Sequence, residues 1–387
     1  MKSWKYLEEF ARLGPRGSAS EEERRAAEWL AQKLRQLGYE VELQPFRSPR
    51  HTLYLGPAVV MAAELLALWL SARQPALAAA LAAAALVPLV GELLATRVNF
   101  DWILPKYPSQ NVVARPPGGR GAAPDVVISA HYDTQWGSWL FAPFFRRLVR
   151  PFFLVAYAGL VAAVLAVALR WALPAAAWVD TLARASAAVL ACVGAFLLGS
   201  WLTGRAVPGA NDNGSGVAVA LALAHRWMDE AKSGAPALTP WFVFTGCEET
   251  GLRGMRQFLQ DAPLKPGTVF INIDNVGGGR LRYFLGEGML LYQRYDPELI
   301  RLAEELSRRR GGEVKPLANW LLPTDGLLPA KQGFRALSFL ALTDDNAIPN
   351  YHWHTDTIER VERDVVELTE QFVWECLREL EERSRAA

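Results

Sequence analysis

The chain has 387 residues, enough for one large domain or two ordinary ones. Lys and Arg number 41 against 40 Asp and Glu, a net charge of +1, so no basic excess points to nucleic acid. Cys192, Cys247 and Cys376 lie far apart without a CxxC pair, which argues against a disulfide framework or a cysteine zinc site, and a site needing imidazole has only His51, His131, His225, His352 and His354 to draw on.

The first thirty residues carry no early apolar run, so no signal peptide is expected. Ser20 followed by Glu21, Glu22 and Glu23 reads as a capping box opening an amphipathic helix over 21–38. "YEVELQPF" then alternates as a strand does. Four apolar segments follow, roughly 53–72, 76–95, 152–169 and 186–203. Each approaches the ~20 residues that cross a ~30 Å hydrocarbon core. Short links, "SARQP" and "RWALPAAAWVD", pair them into two transmembrane hairpins. Glu64 and Glu92 interrupt the first pair, and a charge at that depth must face a partner helix or water.

Two hairpins return the chain to its starting side, so residues 1–50, roughly 98–150 and 204–387 are expected in one compartment. Arg47, Arg50, Arg97, Lys106, Arg146, Arg147, Arg150 and Arg205 flank the spans on that side, whereas the hairpin tips carry only Arg73, Arg170 and Arg184. The positive-inside rule places the polar part in the cytoplasm, and unpaired cysteines agree. The expected location is a bacterial inner membrane with the lipid bilayer as partner.

Outside the hairpins, β-rich runs ("DVVISAH", "PWFVFTGCEE", "GTVFINID", "ALSFLAL") alternate with helical ones ("GVAVALALAHRWMDEA", "DPELIRLAEELSRRRG" and the C-terminal "ERDVVELTEQFVWECLRELEERS"). That pattern predicts an α/β fold: a mixed, mostly parallel sheet flanked by helices on both faces. Sites in such sheets form beyond the carboxyl ends of the strands. Three strands end on ionisable residues: His131 with Asp133 beyond it, Glu248 and Glu249, and Asp274. "GANDNGSG" places Asp212 in a turn before a helix, and "NYHWHTDT" adds His352, His354 and Asp356 after the last strand. Histidines and carboxylates without thiolate suit zinc or a similar divalent ion. Two such ions bridged by a carboxylate can polarise a carbonyl and activate water, with a spare carboxylate as general base.

"HYD", "GANDNGSG", "EETGLRG", "INID" and "NYHWHTDT" stand in the order found in the co-catalytic dizinc exopeptidases, metallopeptidase family twenty-eight. That family includes bacterial aminopeptidases, glutamate carboxypeptidases and glutaminyl cyclases, and the resemblance spans about residues 110 to 360. It implies two zinc ions, one held by His131 and Asp274, the other by Glu249 and His352, with Asp212 bridging. It implies Glu248 as general base, Asp133 orienting His131, and a cis peptide between Asp212 and Asn213. The chain departs from the family by carrying the second hairpin between "HYD" and "GANDNGSG", and His354 stands where relatives often have a small residue. "LPTDGLLPAKQGF" resembles a segment lining the substrate pocket, making Asp325 and His354 candidate substrate contacts. The expected organisation is a single catalytic domain over 1–387, interrupted by hairpins at 53–95 and 152–203. The expected activity is a membrane-anchored aminopeptidase acting on peptides. Alternatives are glutaminyl cyclase-like or carboxypeptidase chemistry, or a scaffold without activity.

Overall fold

The computed structural model describes residues 1–118, 125–173, 176–232, 234, 237–320 and 323–386. The chain forms two compact units. One comprises Met1–Ser48, Tyr107–Gln135 and Ala206–Ala387, and the other Pro49–Lys106 and Trp136–Arg205.

The first unit is built on a mixed sheet. Its strands are β1 (Glu40–Pro49), β2 (Lys106–Arg115), β3 (Val126–His131), β4 (Pro240–Thr245), β5 (Val269–Ile273), β6 (Arg280–Glu287), β7 (Gln293–Arg294), β8 (Lys315–Asn319) and β9 (Arg335–Leu342). They run in the order β1-β2-β4-β3-β5-β9-β6-β8, with β7 beside β6. The centre is parallel: β3 pairs with β4 and β5, and β5 with β9. β2 and β6 join it antiparallel. Every residue of β3, β4 and β5 is buried, which is why these strands read as continuous apolar runs.

Helices cover both faces. Phe242 meets Tyr39, whose hydroxyl donates to Ala224 O (2.9 Å) on the helix Gly216–Ala231. Trp241, one residue earlier and so on the other face, packs edge-on to Phe258 of the helix Arg253–Asp261. Further along, Phe339 packs on Phe372 of the C-terminal helix (Arg363–Ala386). The expected α/β layering is therefore present.

Not every element follows its sequence signal. An N-terminal helix, Lys2–Ala11, has no counterpart among the expected elements, and neither do β2, β6 and β8. Those strands begin on or carry charges (Lys106, Arg280, Arg282, Lys315), which blunts their apolar pattern. At the helix 21–36, the Ser20 side chain accepts from Glu23 N (3.1 Å) as a capping box requires, but Glu23 reaches Ala19 N (3.0 Å) rather than Ser20 N.

The second unit holds four helices long and apolar enough to cross a membrane: Thr52–Leu70, Pro75–Leu93, Val149–Ala172 and Ala177–Thr203. The first pair matches the expected hairpin within two residues. The second pair is longer than expected (152–169 and 186–203), because most of the polar link is helical. An ion pair explains the extension: Arg170 Nε donates to Asp180 Oδ1 at 3.1 Å, and its Nη1 to Ser71 Oγ at 2.8 Å. Pro174 and Ala175 of that link lie outside the described residues. Small residues line the helix contacts (Ala67, Ala78, Ala82, Ala163, Ala166), while Leu154, Val161 and Leu202 face outward. Glu64 is wholly buried in this unit.

Candidate metal centre

Four of the candidate positions stand at the carboxyl ends of the parallel strands. His131 ends β3, Asp274 follows β5 directly, and Glu248 and Glu249 follow β4 by two residues. His352 lies in the loop after β9, and Asp212 in the turn Ala210–Ser215 that opens the helix Gly216–Ala231. Parallel register brings these ends together because it places His131 opposite Thr245 and Ser129 opposite Asn272.

Asp212 sits between the two histidines. Its Oδ1 lies 3.3 Å from His131 Nε2 and its Oδ2 3.1 Å from His352 Nε2. His131 Nε2 is also 3.3 Å from Asp274 Oδ1, and His352 Nε2 is 3.2 Å from Glu249 Oε2. One ligand atom each from His131, Asp212 and Glu249 falls within 4.8 Å of the others. His131, Asp212 and His352 are no more than 3% exposed. The donor set is imidazole nitrogen and carboxylate oxygen, and Glu249 Oε1 is buried without a hydrogen-bond partner among the described residues. Such a set fits a divalent ion of the zinc type.

The electrostatics carry the same message. Burial lowers both imidazoles, but the carboxylates outweigh it: Asp274 and Glu248 hold His131 well above its usual range, and Glu249 and Asp212 lift His352 to about 9. Burial raises Asp212, yet His131 and His352 hold it well below the usual carboxylate range. Burial pushes Glu248 well up, with His131 opposing and Glu249, Asp274 and Asp325 adding. Glu249 rises to about 7, again chiefly by burial. Acids and imidazoles thus share protons in a dry site. A bound dication would replace those protons, since ligands must be deprotonated to coordinate.

The supporting shell explains how each ligand is held. The Asp356 carboxylate accepts from Asn211 N (2.8 Å) and Asp212 N (2.9 Å), gripping the turn from outside. Asn213 Nδ2 donates to Ile273 O (2.9 Å), and its Oδ1 accepts from Gly216 N (2.9 Å) and Asn275 N (3.1 Å). The Asp212–Asn213 peptide is cis. Gly216 must lack a side chain, because a Cβ there would stand 2.4 Å from Ile273 O. Asp133 lies near His131: Nδ1 is 3.2 Å from its carbonyl oxygen and 3.5 Å from Oδ1. Its carboxylate also accepts from Glu248 N (3.0 Å) and Glu249 N (3.3 Å).

The two candidate substrate contacts separate. Asp325 is buried, accepting from Thr245 Oγ1, while its Oδ1 has no hydrogen-bond partner among the described residues. His354 is exposed, with its ring 4.4 Å from that of Trp353. Sequence reading missed Gln135, whose Nε2 donates to Glu249 Oε2 (2.9 Å), and Arg16. Arg16 donates to Tyr132 O (2.8 Å), Pro208 O (3.0 Å) and Gly209 O (2.9 Å), tying the His131 loop to the Asp212 turn. The sequence pointed to this shell through Asp133 and the "TDT" spacing that carries Asp356; Arg16 meets residues more than a hundred positions away.

Residues 186–377, about half of the chain, match the model of Peptidase family M28. The chain belongs to Peptidase family M28. Solved structures similar to this M28 chain include a glutaminyl cyclase from Porphyromonas gingivalis (15% identity, 98% of this chain and 97% of that one, TM-score 0.59). BSAP, a zinc aminopeptidase from Bacillus subtilis, is 16% identical over 98% of this chain and 94% of that one, with a TM-score of 0.56. LapB from Legionella pneumophila is 15% identical over 98% and 71%, also with a TM-score of 0.56. At such identities the likeness establishes the shared fold. No match is found among curated protein sequences.

Proposed function

We propose that this M28 peptidase is a membrane-anchored, zinc-dependent aminopeptidase with a dinuclear centre. The observation that carries the reading is Asp212, which offers one carboxylate oxygen to the side of His131 and the other to the side of His352. His131 and Asp274 would hold one ion, Glu249 and His352 the other, and Asp212 both. When bound, the ions supply Lewis-acid polarisation of the scissile carbonyl and a more acidic water.

The remaining steps belong to the chain. Glu248 takes the proton from the attacking water and delivers it to the departing amine nitrogen, so it ends the cycle as it began. Its buried setting raises its affinity for the proton it takes up. Asp133 holds the Glu248 amide and stands beside His131, keeping base and ligand in one frame. Asp325, a buried acid with one unpaired oxygen, is the candidate anchor for a substrate amine. The four apolar helices anchor the chain in a bacterial inner membrane, and the Arg-rich flanks put the peptidase in the cytoplasm.

Glutaminyl cyclase-like chemistry is the second reading, favoured by the fold shared with that enzyme from Porphyromonas gingivalis. Metal analysis on the detergent-purified chain separates the two: about two ions per chain for the aminopeptidase, one for a cyclase. The decisive assay is hydrolysis of free and N-blocked aminoacyl and dipeptide substrates with zinc present. Wild type should cleave the free ones, and Glu248→Gln should lose roughly 10²–10⁴ in kcat while retaining its metal. A wild type that holds two ions yet cleaves nothing defeats the proposal.

A further inference from the structure

The turn after β4 presents both Glu248 and Glu249, and its backbone is held in an unusual way. Three successive amides, those of Cys247, Glu248 and Glu249, lie past the end of the strand and need acceptors. Asp133 takes the second and third, at 3.0 and 3.3 Å. Glu23 takes the first: its Oε1 accepts from Cys247 N at 3.0 Å and from Cys247 Sγ at 3.3 Å. Its Oε2 accepts from Ser109 Oγ (2.8 Å) and Ala19 N (3.0 Å), so four donors converge on one carboxylate that is 1% exposed.

Cys247 itself adopts φ +53°, the left-handed region that non-glycine residues enter at a cost. Two contacts from the one buried Glu23 side chain, to the amide and to the thiol of Cys247, hold that turn. Gly246 records the closeness of the fit, since a Cβ there would stand 2.9 Å from Glu23 Oε1 and 2.7 Å from Gln110 O. The carbonyl side of the turn is tied as well: Leu252 N donates to Glu248 O (2.8 Å) and Arg253 N to Cys247 O (3.0 Å).

Asp133 and Glu23 are also linked through the same N-terminal strap. Ser18 Oγ donates to Asp133 Oδ2 (2.6 Å), Thr134 N to Arg16 O (3.0 Å), and Arg16 N to Thr134 Oγ1 (2.9 Å). Residues 16–23 therefore touch both carboxylates of the clamp. They lie well outside the M28 match, which begins at residue 186.

We infer that Glu23 is a positioning residue for the reaction: with Asp133 it forms a two-carboxylate clamp that sets the direction of the base Glu248 and the ligand Glu249. The inference rests on the reading of Glu248 as base. Glu23 touches neither substrate nor metal, so it acts only through the turn.

The test uses the full-length, zinc-loaded protein in detergent. Glu23→Gln must turn its amide NH2 toward one of two backbone donors, Cys247 N or Ala19 N, and should lower kcat ten- to hundredfold, with KM within twofold and metal content unchanged. Ser109→Ala removes one of the four donors to Glu23, leaves the bond to Cys247 N in place, and should stay within threefold of wild type. Combined with Asp133→Asn, Glu23→Gln should add clearly less than its single effect, because both act on one turn. Where Glu23→Gln does not fold, Glu23→Asp, which draws the carboxylate back by one methylene, should show the same kcat-specific loss. Wild-type kcat in the folded Glu23 variant, equal losses in Ser109→Ala, or additive effects with Asp133→Asn would each overturn the inference. Active Glu248→Gln would instead overturn the base assignment, and an inactive Glu248→Gln beside a fully active Glu23 variant would sink the clamp alone.

Discussion

Asp212, Glu249, Asp274 and Glu248 crowd into a buried site beside the imidazoles of His131 and His352. Like charges so placed are stable only when protons or a dication join them. Asp212→Asn should therefore bind markedly less zinc, read by metal analysis, while circular dichroism stays that of a folded chain. A second buried acid, Glu287, lies away from the centre. It accepts from Tyr295 Oη, Thr324 N (2.8 Å) and Thr324 Oγ1 (3.0 Å), steadying the residue before Asp325. Burial pushes Glu287 up to about 8 despite these donors. A raised folded value means the native state binds the extra proton. The stability that proton contributes is complete below about 4.5 and is lost as pH climbs through about 8. Thermal melts should show the advantage of wild type over Glu287→Gln shrinking across that window and levelling off above it. Close packing around the same turn predicts that Gly326→Ala costs about 1–3 kcal/mol, because its Cβ would stand 2.2 Å from Ser338 Oγ.

Among the elements, those with one dominant signal were legible. The helix 216–231 and strands β3, β4, β5 and β9 were expected from uninterrupted apolar runs and occur there. Strands β2, β6 and β8 were not, since their charged positions break the alternation that marks a strand. The Ser20 box shows a subtler limit. Its local half is present, but Glu23 leaves the Ser20 amide for the strand end at Cys247, 224 residues on. No local pattern can announce such a partner. In the apolar unit, Gly159 permits close approach between neighbouring helices, and a Cβ there would stand 2.7 Å from Val189 Cγ1. Gly159→Leu should lower the melting temperature in detergent, by an overpacking cost of about 1–3 kcal/mol.

The whole molecule interleaves a peptidase fold with an apolar unit, each built from non-contiguous stretches. His131 precedes the second apolar hairpin and Asp212 follows it, so the proposed ligand set spans the insertion. Replacing 152–203 with a short polar loop tests what that insertion contributes to activity. Cleavage of soluble dipeptides should persist, while cleavage of membrane-embedded peptides should fall. The amino-acid sequence by itself determined the layered α/β plan, the four apolar helices and the order of the ionisable motifs, because hydrophobic period and motif spacing are local properties of the chain. Only the tertiary structure decided that Asp212 lies between His131 and His352, that Asp325 is buried and His354 exposed, and that Arg16, Gln135, Glu23 and Asp356 brace the site. Those relations depend on parallel register and on hydrogen bonds closed across one to two hundred residues, which no window along the chain contains.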